Sequence, residues 1–283
     1  MTNPIYILTA SFLLFLMACS KHGNDGGVPP PPPKPSVSYG DSVFYLDPAG
    51  AELKVSPVSA NTGRYFGFPE GLDLDQNSGT INVSKSERGL RYKVYFVPSG
   101  GGDTLSTMVT ISGINFLDGF YRLGSGDSLA IPVYNGKKNE PVPGQNAGST
   151  FDDGGSCNSQ GCTVNVGSGI INLASTVRNG VFGAVPASNS NREFVLNYRI
   201  DDKSGKAANS INVKLYYFET MNDVPQNIYD LIASRQGTIL GTSEPGGITA
   251  TPRRLVTSSR PVVVTGFTAA AKPRPPCIFI IGH

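Results

Sequence analysis

Residues 68–83 read FPEGLDLDQNSGTINV, and this stretch decides the fold. Leu72 and Leu74 precede the turn around Gly79, and Ile81 and Val83 follow it, so apolar residues recur at every second position on both sides. Such alternation on either side of a glycine-containing turn predicts a β-hairpin. The pattern therefore indicates short strands joined by tight turns.

Four further strand patterns flank this stretch, at residues 43–46, 53–55, 91–97 and 106–111. Residues 91–97 and 106–111 are separated by a glycine-rich segment, which predicts a second hairpin. The chain is rich in turn formers, with 34 Gly and 22 Pro, and only 16% of its residues are charged. We therefore expect an all-β fold class.

A family pattern runs through the same region. It consists of Pro69, Gly71, Leu72, Leu74, Asp75, Ser78, Gly79 and Ile81, followed by Tyr92 and Val94. In this pattern the chain resembles the bacterial putative-immunoglobulin and cadherin-like domains, from which it departs at Glu70 and Val83. The resemblance covers residues 36–113 and implies an N-terminal immunoglobulin-like β-sandwich, a fold used as a spacer or binding module. The resemblance implies no catalytic activity.

The residues Asp73, Asp75 and Asn77 raise a calcium alternative, because their spacing matches the first three ligand positions of an EF-hand loop. Position six of that loop is Ser78 instead of Gly, and position twelve is Ser84 instead of a bidentate Glu. We therefore favour a plain hairpin turn and expect no metal site.

Residues 114–283 predict a second, mainly β domain with one short helix. Its strand patterns lie at 128–134, 162–166, 169–174, 194–200, 210–218, 254–257, 261–264 and 277–281. A helix is expected over 225–235, because Pro225 suits a first turn and three apolar residues after it share one face. We recognise no family for this domain.

The chain begins with an apolar run from Ile5 to Ala18, which is too short to span a bilayer and suits the core of a signal peptide. The run ends in Leu16-Met17-Ala18-Cys19, a segment that resembles the bacterial lipobox. The resemblance implies that residues 1–18 are removed and that acylated Cys19 partners membrane lipid through several chains. The first four residues lack the usual Lys or Arg, and an ordinary secretory signal with a chance cysteine is the alternative.

Residues 19–35 predict a tether. A polar, glycine-containing segment leads into five consecutive prolines, 29–33, which favour a polyproline II rod of roughly 3.1 Å per residue. Such a rod lifts a folded body off a membrane surface. A proline-rich ligand for an SH3-type domain is the alternative.

Composition excludes several functions. The formal net charge is +2 and we see no basic patch with interleaved aromatics, so nucleic acid is not an expected partner. The two histidines are His22 in the tether and His283 at the last position. The folded body therefore cannot build a Ser-His-Asp or Cys-His arrangement, and we expect no cofactor. Trp is absent, but 12 Tyr could serve as sugar-stacking residues.

Cys157 and Cys162 flank a turn-rich segment, and in an exported protein this spacing predicts a local disulfide. A metal site is the alternative, although it needs further thiols or histidines nearby, and Cys277 is the remaining cysteine once Cys19 is acylated. Cys277 is then an odd thiol that is buried, free or intermolecular.

Asp152, Asp153, Asp201 and Asp202 form two acidic pairs in turn-rich loops. Paired carboxylates can support hydrolysis without histidine, whereas acidic residues in such loops commonly serve as solvated turn residues. We assign none of them a catalytic role and keep a carboxylate-dependent hydrolase as the third hypothesis for function.

The first hypothesis is a non-enzymatic envelope lipoprotein with a binding, adhesive or structural role and a glycan or protein ligand. The second is an accessory subunit of an outer-membrane glycan uptake or secretion complex. Both place the protein in the envelope of a Gram-negative bacterium, lipid-anchored at the outer membrane, with periplasmic and surface orientations both open.

Substitution of Cys19 tests the anchor. Cells fed a palmitate analogue should label the natural chain and a Ser20→Ala control, and should not label Cys19→Ala, because acylation needs the Cys19 sulfur. Labelling is read on the immunopurified protein. Equal labelling of Cys19→Ala and the natural chain would contradict the lipid anchor.

Overall fold

The computed structural model describes residues 36–59, 62–235 and 275–283. The signal peptide 1–18, the tether 19–35 and the predicted strands 254–257 and 261–264 lie outside the described residues. The described part contains fifteen strands and three α-helices. The predicted all-β fold class is confirmed.

Six strands build the first body: β1 (Val43–Phe44), β2 (Lys54–Val55), β3 (Gly63–Phe68), β4 (Ile81–Asn82), β5 (Leu90–Pro98) and β6 (Leu105–Ile111). Four of them form a sheet in the order β1-β6-β5-β3, and β2 pairs antiparallel with β4. Only β1 runs parallel to its neighbour in the four-stranded sheet. The core between the strands includes Tyr65, Ile81 and Tyr92, each almost fully buried.

The second body contains β7 (Ile114–Phe116), β8 (Gly119–Arg122), β9 (Leu129–Ala130), β10 (Pro132–Tyr134), β11 (Thr150–Phe151), β12 (Ile171–Asn172), β13 (Ser190–Arg199), β14 (Asn209–Phe218) and β15 (Cys277–Ile281). Its main sheet has the order β11-β13-β14-β15-β8, and two small sheets pair β12 with β9 and β10 with β7. The predicted strands at 194–200, 210–218 and 277–281 are confirmed.

Three short helices, α1 (Ser156–Ser159), α2 (Leu173–Arg178) and α3 (Gln226–Arg235), accompany these sheets. α3 confirms the helix predicted over 225–235. Its buried Ile228 and Ile232 pack with Phe279 on one face of β15. Ile278 and Ile280 belong to the main core on the opposite face. β15 is therefore covered on both sides, which explains its unbroken apolar sequence.

The second body repeats the strand arrangement of the first. Strands β1 to β6 correspond to β8, β9, β11, β12, β13 and β14, and β15 is inserted between β14 and β8. The repeat is clearest where residues 74–86 correspond to 164–176. Leu74 bridges to Ile81 in the first copy, and Val164 bridges to Ile171 in the second. β4 pairs antiparallel with β2 just as β12 pairs with β9.

The hairpin turn is held by the same hydrogen bonds in both copies. Asp75 Oδ1 accepts hydrogen bonds from the second and third backbone N–H groups after it, at 2.9 and 2.7 Å. Asn165 Oδ1 accepts the same two bonds at 3.0 and 2.9 Å. The backbone N–H of Gly79 donates to Asp75 O, and that of Gly169 donates to Asn165 O, both at 2.8 Å. The turn thus satisfies its own backbone groups.

A hydroxyl fixes the end of the hairpin in each copy. Ser86 Oγ donates to the carbonyl four residues earlier at 2.7 Å and accepts from Asp73 N at 3.0 Å. Thr176 Oγ1 donates to the carbonyl four residues earlier at 2.8 Å and accepts from Thr163 N at 3.0 Å. Since two distant backbone groups are bonded through one hydroxyl, the two arms of the hairpin are tied together.

A glycine is needed in each turn because an aromatic ring lies against it. Gly79 and Gly169 adopt left-handed φ values of 74° and 73°. A Cβ on Gly79 would lie 2.8 Å from the Tyr65 ring, and one on Gly169 would lie 2.6 Å from the Phe151 ring. Carbon atoms pack at about 3.5–4.0 Å, so both backbone conformation and space exclude a side chain.

The predicted strands 162–166 and 169–174 are shorter in the structure than expected. At 162–166 the structure has only the bridge at Val164, and 169–174 holds the two-residue strand β12 followed by α2. The helix begins there because Asn172 Oδ1 accepts a hydrogen bond from Ser175 N at 2.9 Å and caps it. The alternation of apolar residues in this segment comes from the hairpin in which Val164 bridges to Ile171, as Leu74 bridges to Ile81 in the first copy.

The two bodies meet around Gly113. Ser112 Oγ of the first body donates to Asp202 Oδ2 of the second at 3.1 Å. Within the second body, Asp202 Oδ2 also accepts from Tyr134 Oη at 2.8 Å, and Ile114 N donates to Tyr198 Oη at 3.2 Å. The division into domains 36–113 and 114–283, and the likeness of the first to immunoglobulin-like sandwiches, stay predictions.

Alanine substitution of Gly169 should destabilise the protein more than alanine substitution of Gly126. Both glycines have left-handed φ values, but a Cβ on Gly126 would meet nothing within 4 Å. Gly126→Ala should therefore cost only the backbone strain of about 1–2 kcal/mol. Gly169→Ala should cost about 1–3 kcal/mol more through overpacking against Phe151. Equal losses in urea unfolding would show that the ring contact is unimportant.

Candidate ligand-binding face

The outer surface of the four-stranded sheet carries aromatic and basic side chains. Burial alternates along β5 from Leu90 to Phe96, and the partly exposed residues in this range are Arg91, Lys93 and Tyr95. Because successive side chains of a strand point to opposite faces, these three lie together on the side away from the core.

Strands β3 and β6 extend this surface. Phe66 lies directly opposite Tyr95, and Phe68 lies opposite Lys93. Met108 flanks Lys93 on the other side. Lys93 Nζ is 5.2 Å from the centroid of the Tyr95 ring, which is a cation–π contact. We call the surface formed by Phe66, Phe68, Lys93, Tyr95 and Met108 the aromatic face.

Basic residues border the aromatic face. Arg91 precedes Lys93 by two residues on β5, and Arg64 lies opposite Val97 at the other end of the face. Arg64 Nη2 donates to Gln76 Oε1 at 2.6 Å, which orients the guanidinium. The strands β1, β3, β5 and β6 contain no Asp or Glu. The face is therefore aromatic and basic, and at its margin Arg64 also interacts with the Asp75 carboxylate in the neighbouring turn.

Partial burial raises the pKa of Tyr95. An unperturbed tyrosine has a pKa of about 10, so the Tyr95 hydroxyl remains protonated at neutral pH. It can then both donate and accept hydrogen bonds.

The corresponding surface of the second body has a different character. The side chains that β13 presents there are Glu193, Val195, Asn197 and Arg199. Further along the sheet, α3 covers the residues of β14 and β15. Because the same strand arrangement accepts a largely polar surface, the fold does not require the rings of the aromatic face.

The aromatic face can bind a ligand by stacking and by charge. Aromatic rings offer flat apolar surfaces to the C–H faces of sugar rings, and the neighbouring cations attract negative groups. Side chains on sheet strands hold such positions more firmly than loops do. Within residues 36–59, 62–235 and 275–283, no three His, Cys, Asp or Glu side chains are grouped so as to hold a metal ion.

The predicted disulfide partners lie side by side. Cys157 and Cys162 are both buried, and they are unbonded thiols in this structure. Contact with the Cys162 thiol and burial raise the pKa of Cys157. Cys277 is buried beneath α3. The disulfide between Cys157 and Cys162 stays a prediction, and Cys19 lies outside the described residues.

The repeat explains why Cys162 is buried. Gly161-Cys162 occupies the place that Gly71-Leu72 occupies in the first copy, and both Cys162 and Leu72 are buried. Cys162 therefore fills a core position of the module, as a small hydrophobic residue does.

The first pair of aspartates supports the segment around α1. Asp152 is buried and accepts hydrogen bonds from Cys157 N at 2.8 Å and from Asn158 N at 2.9 Å and Asn158 Nδ2 at 2.7 Å. Asp153 Oδ2 forms an ion pair with Arg199 Nε at 2.8 Å. Both carboxylates are thus engaged in holding this segment against β13.

The second pair lies at the other end of the β11–β13 ladder. Asp202 contacts Tyr134 and Ser112 of the interbody contact described above, and its Oδ1 accepts from Ser204 N at 2.8 Å. Asp201 Oδ2 lies 3.8 Å from Lys206 Nζ. The structure separates the two pairs and gives each aspartate a structural contact.

The repeat also bears on the calcium alternative. The two backbone N–H groups bound to Asp75 Oδ1 hold the pKa of this carboxyl below its usual range. Asn165 accepts the same two bonds with a neutral amide. The turn therefore needs an oxygen acceptor and not a charge, which favours the plain hairpin turn.

No family model and no curated protein matches the chain. Among solved structures, it is similar to a SusE-like surface-located polysaccharide-binding protein from the Bacteroides thetaiotaomicron heparin utilisation locus, with 12% sequence identity and a TM-score of 0.23. The match covers 66% of this chain and 35% of that protein. In the part of the chain that the structure describes, no helix is long and apolar enough to cross a membrane.

Sequence patterns do not reveal the aromatic face, because they do not reveal strand β3. Residues 63–68 read GRYFGF, and their two glycines obscure a strand pattern. The signal that was present is the recurrence of aromatic residues at 66 and 68, which matches the period of a strand.

Non-reducing peptide mapping of the exported protein should recover the Cys157 and Cys162 peptides joined to each other. The two thiols already touch, and export places them where disulfides persist. The bridge closes a short loop, so its loss should cost less than the ~3 kcal/mol expected of a 15-residue loop. A cross-link to Cys277, or free thiols at both positions, would contradict the pairing and reopen the metal alternative.

Proposed function

We propose that this protein is a lipid-anchored envelope protein that binds a glycan and does not transform it. In this proposal acylated Cys19 holds the protein in the outer membrane, residues 19–35 form the tether, and the aromatic face is the ligand site. The observation that carries the proposal is the row of side chains in which Phe66 faces Tyr95 and Phe68 faces Lys93.

The surface chemistry supports a ligand at this place. The rings of the aromatic face are only partly buried, and an apolar surface bordered by polar residues is a common feature of interaction sites. The second body shows that this module can carry polar residues on the same surface. A ligand that stacks on the rings accounts for the difference between the two bodies.

The engaged carboxylates support binding without turnover. General acid–base hydrolysis by two carboxylates requires them to flank one bond of the substrate. Here Asp152 and Asp153 lie beside α1, whereas Asp202 is bonded to Tyr134 and Ser112. Neither pair faces the surface that carries Phe66 and Tyr95.

The proposal is tested with the mature acylated protein in detergent on an array of neutral and acidic glycans. The natural chain should bind at least one glycan. Phe66→Ala and Tyr95→Ala should each weaken binding by about tenfold or more, equivalent to about 1.4 kcal/mol for a lost stacking contact. Thermal unfolding of each variant checks that the fold is kept.

Val195→Ala is the matched control, because Val195 lies on the corresponding surface of the second body and is 47% exposed. It should bind as the natural chain does. Binding that survives in Phe66→Ala and Tyr95→Ala, or that falls equally in Val195→Ala, would place the ligand elsewhere. No binding to any glycan would overturn the proposed function.

A further inference from the structure

We infer that the glycan recognised by the aromatic face is an acidic polysaccharide, whose carboxylate or sulfate groups contact Arg64, Arg91 and Lys93. The inference rests on the proposed function and adds the charge of the ligand to it. It is carried by the charge of the four-stranded sheet and by the positions of its cations relative to the rings.

The four-stranded sheet carries basic residues without acidic ones. The whole chain has 23 Lys and Arg against 21 Asp and Glu, so it has almost no excess of cations. The strands β1, β3, β5 and β6 nevertheless hold three basic residues and no acidic one. Charges on a surface act over roughly 8–10 Å at physiological salt. A ligand on the aromatic face therefore meets basic side chains that no acidic residue of these four strands offsets.

The cations lie at both ends of the ring pair. Residues on one face of a strand are about 6.6 Å apart, so Arg91, Lys93 and Tyr95 follow one another in steps of this length. Arg64 lies one further step along, opposite Val97. The positive groups thus extend over about 20 Å. An elongated chain with repeated negative groups can contact both ends, whereas a small anion can reach only one.

The donors suit carboxylate and sulfate oxygens. A guanidinium carries five N–H donors in a planar fork, and the Arg64 bond to Gln76 orients this fork at the margin of the face. Lys93 Nζ lies over the Tyr95 ring. A sugar stacked on the neighbouring Phe66 ring would therefore lie beside Lys93 and could place a negative substituent next to its ammonium group.

The second body supplies a comparison with the same local geometry. Lys214 Nζ is 5.2 Å from the centroid of the Tyr216 ring, as Lys93 is from that of Tyr95. There, however, Tyr216 packs against the cluster beneath α3. The neighbouring strand presents Glu193, whose Oε1 lies 3.4 Å from Asn212 Nδ2. The second body thus has a similar cation–π pair, but an acidic side chain and helix α3 lie around it.

The test compares acidic with neutral polysaccharides on the mature acylated protein in detergent. The acidic probes are polygalacturonate, alginate and chondroitin sulfate, and the neutral probes are galactan and dextran. At least one acidic probe should bind more tightly than both neutral probes, and added salt should weaken this binding. Arg91→Met and Lys93→Met should each reduce the affinity about two- to fivefold, as expected for exposed charge pairs. Lys214→Met should leave it unchanged.

Three outcomes would overturn the inference. Tight binding of galactan or dextran, unaffected by Arg91→Met and Lys93→Met and lost in Tyr95→Ala, would reject an acidic ligand and keep the proposed function. Binding of single-stranded DNA as tight as that of the acidic glycans, or an equal loss in Lys214→Met, would show unselective attraction of polyanions. Failure of all five polysaccharides to bind, together with a silent glycan array, would reject both proposals.

Discussion

The contact between a glycine and an aromatic ring positions most of each body. Gly79 lies against the ring of Tyr65, and Gly169 against that of Phe151. At the same place the backbone N–H of Tyr65 donates to Gln76 O, and that of Phe151 donates to Val166 O, both at 2.8 Å. The ring and the backbone together attach the hairpin to the main sheet. Once the hairpin is attached, β4 and β12 have fixed positions, and their pairing with β2 and β9 closes the core.

Because a few internal contacts determine the strand arrangement, the outer surfaces of the two bodies can differ. The two copies share the turn, the hydroxyl that ties its arms and the strand order, yet Asn165 replaces Asp75 and Cys162 replaces Leu72. On the outside, one sheet presents Phe66 and Tyr95 while the other is polar or covered by α3. Binding chemistry can therefore vary on this module without any change in what holds it together.

Much of the fold could be predicted from the sequence because its strongest patterns are local. The hairpin in 68–83 and the helix α3 follow from residue periodicity and turn chemistry alone. The sequence obscures the repeat, because Cys162 stands where the first copy has Leu72, and a thiol at this position indicates a disulfide instead. The candidate site was beyond reach, since the pairing of Phe66 with Tyr95 depends on the register between β3 and β5, and register requires knowledge of which strands are neighbours. The contacts of the two aspartate pairs could not be predicted either, because their partners lie on other elements.

Strand β15 follows all the other described strands in the sequence, so it is synthesised after them. The first body takes all its strands from one continuous segment, whereas the second has β15 between β14 and β8 in its main sheet. A chain made from its amino end can form all the strands of the first body early, although the core of this body also includes Val133 of β10. Until residues 277–281 arrive, β8 has no place in its sheet and β14 presents an open edge, which is a template for pairing with other chains. The second body therefore keeps an unpaired strand edge until most of the chain has been synthesised.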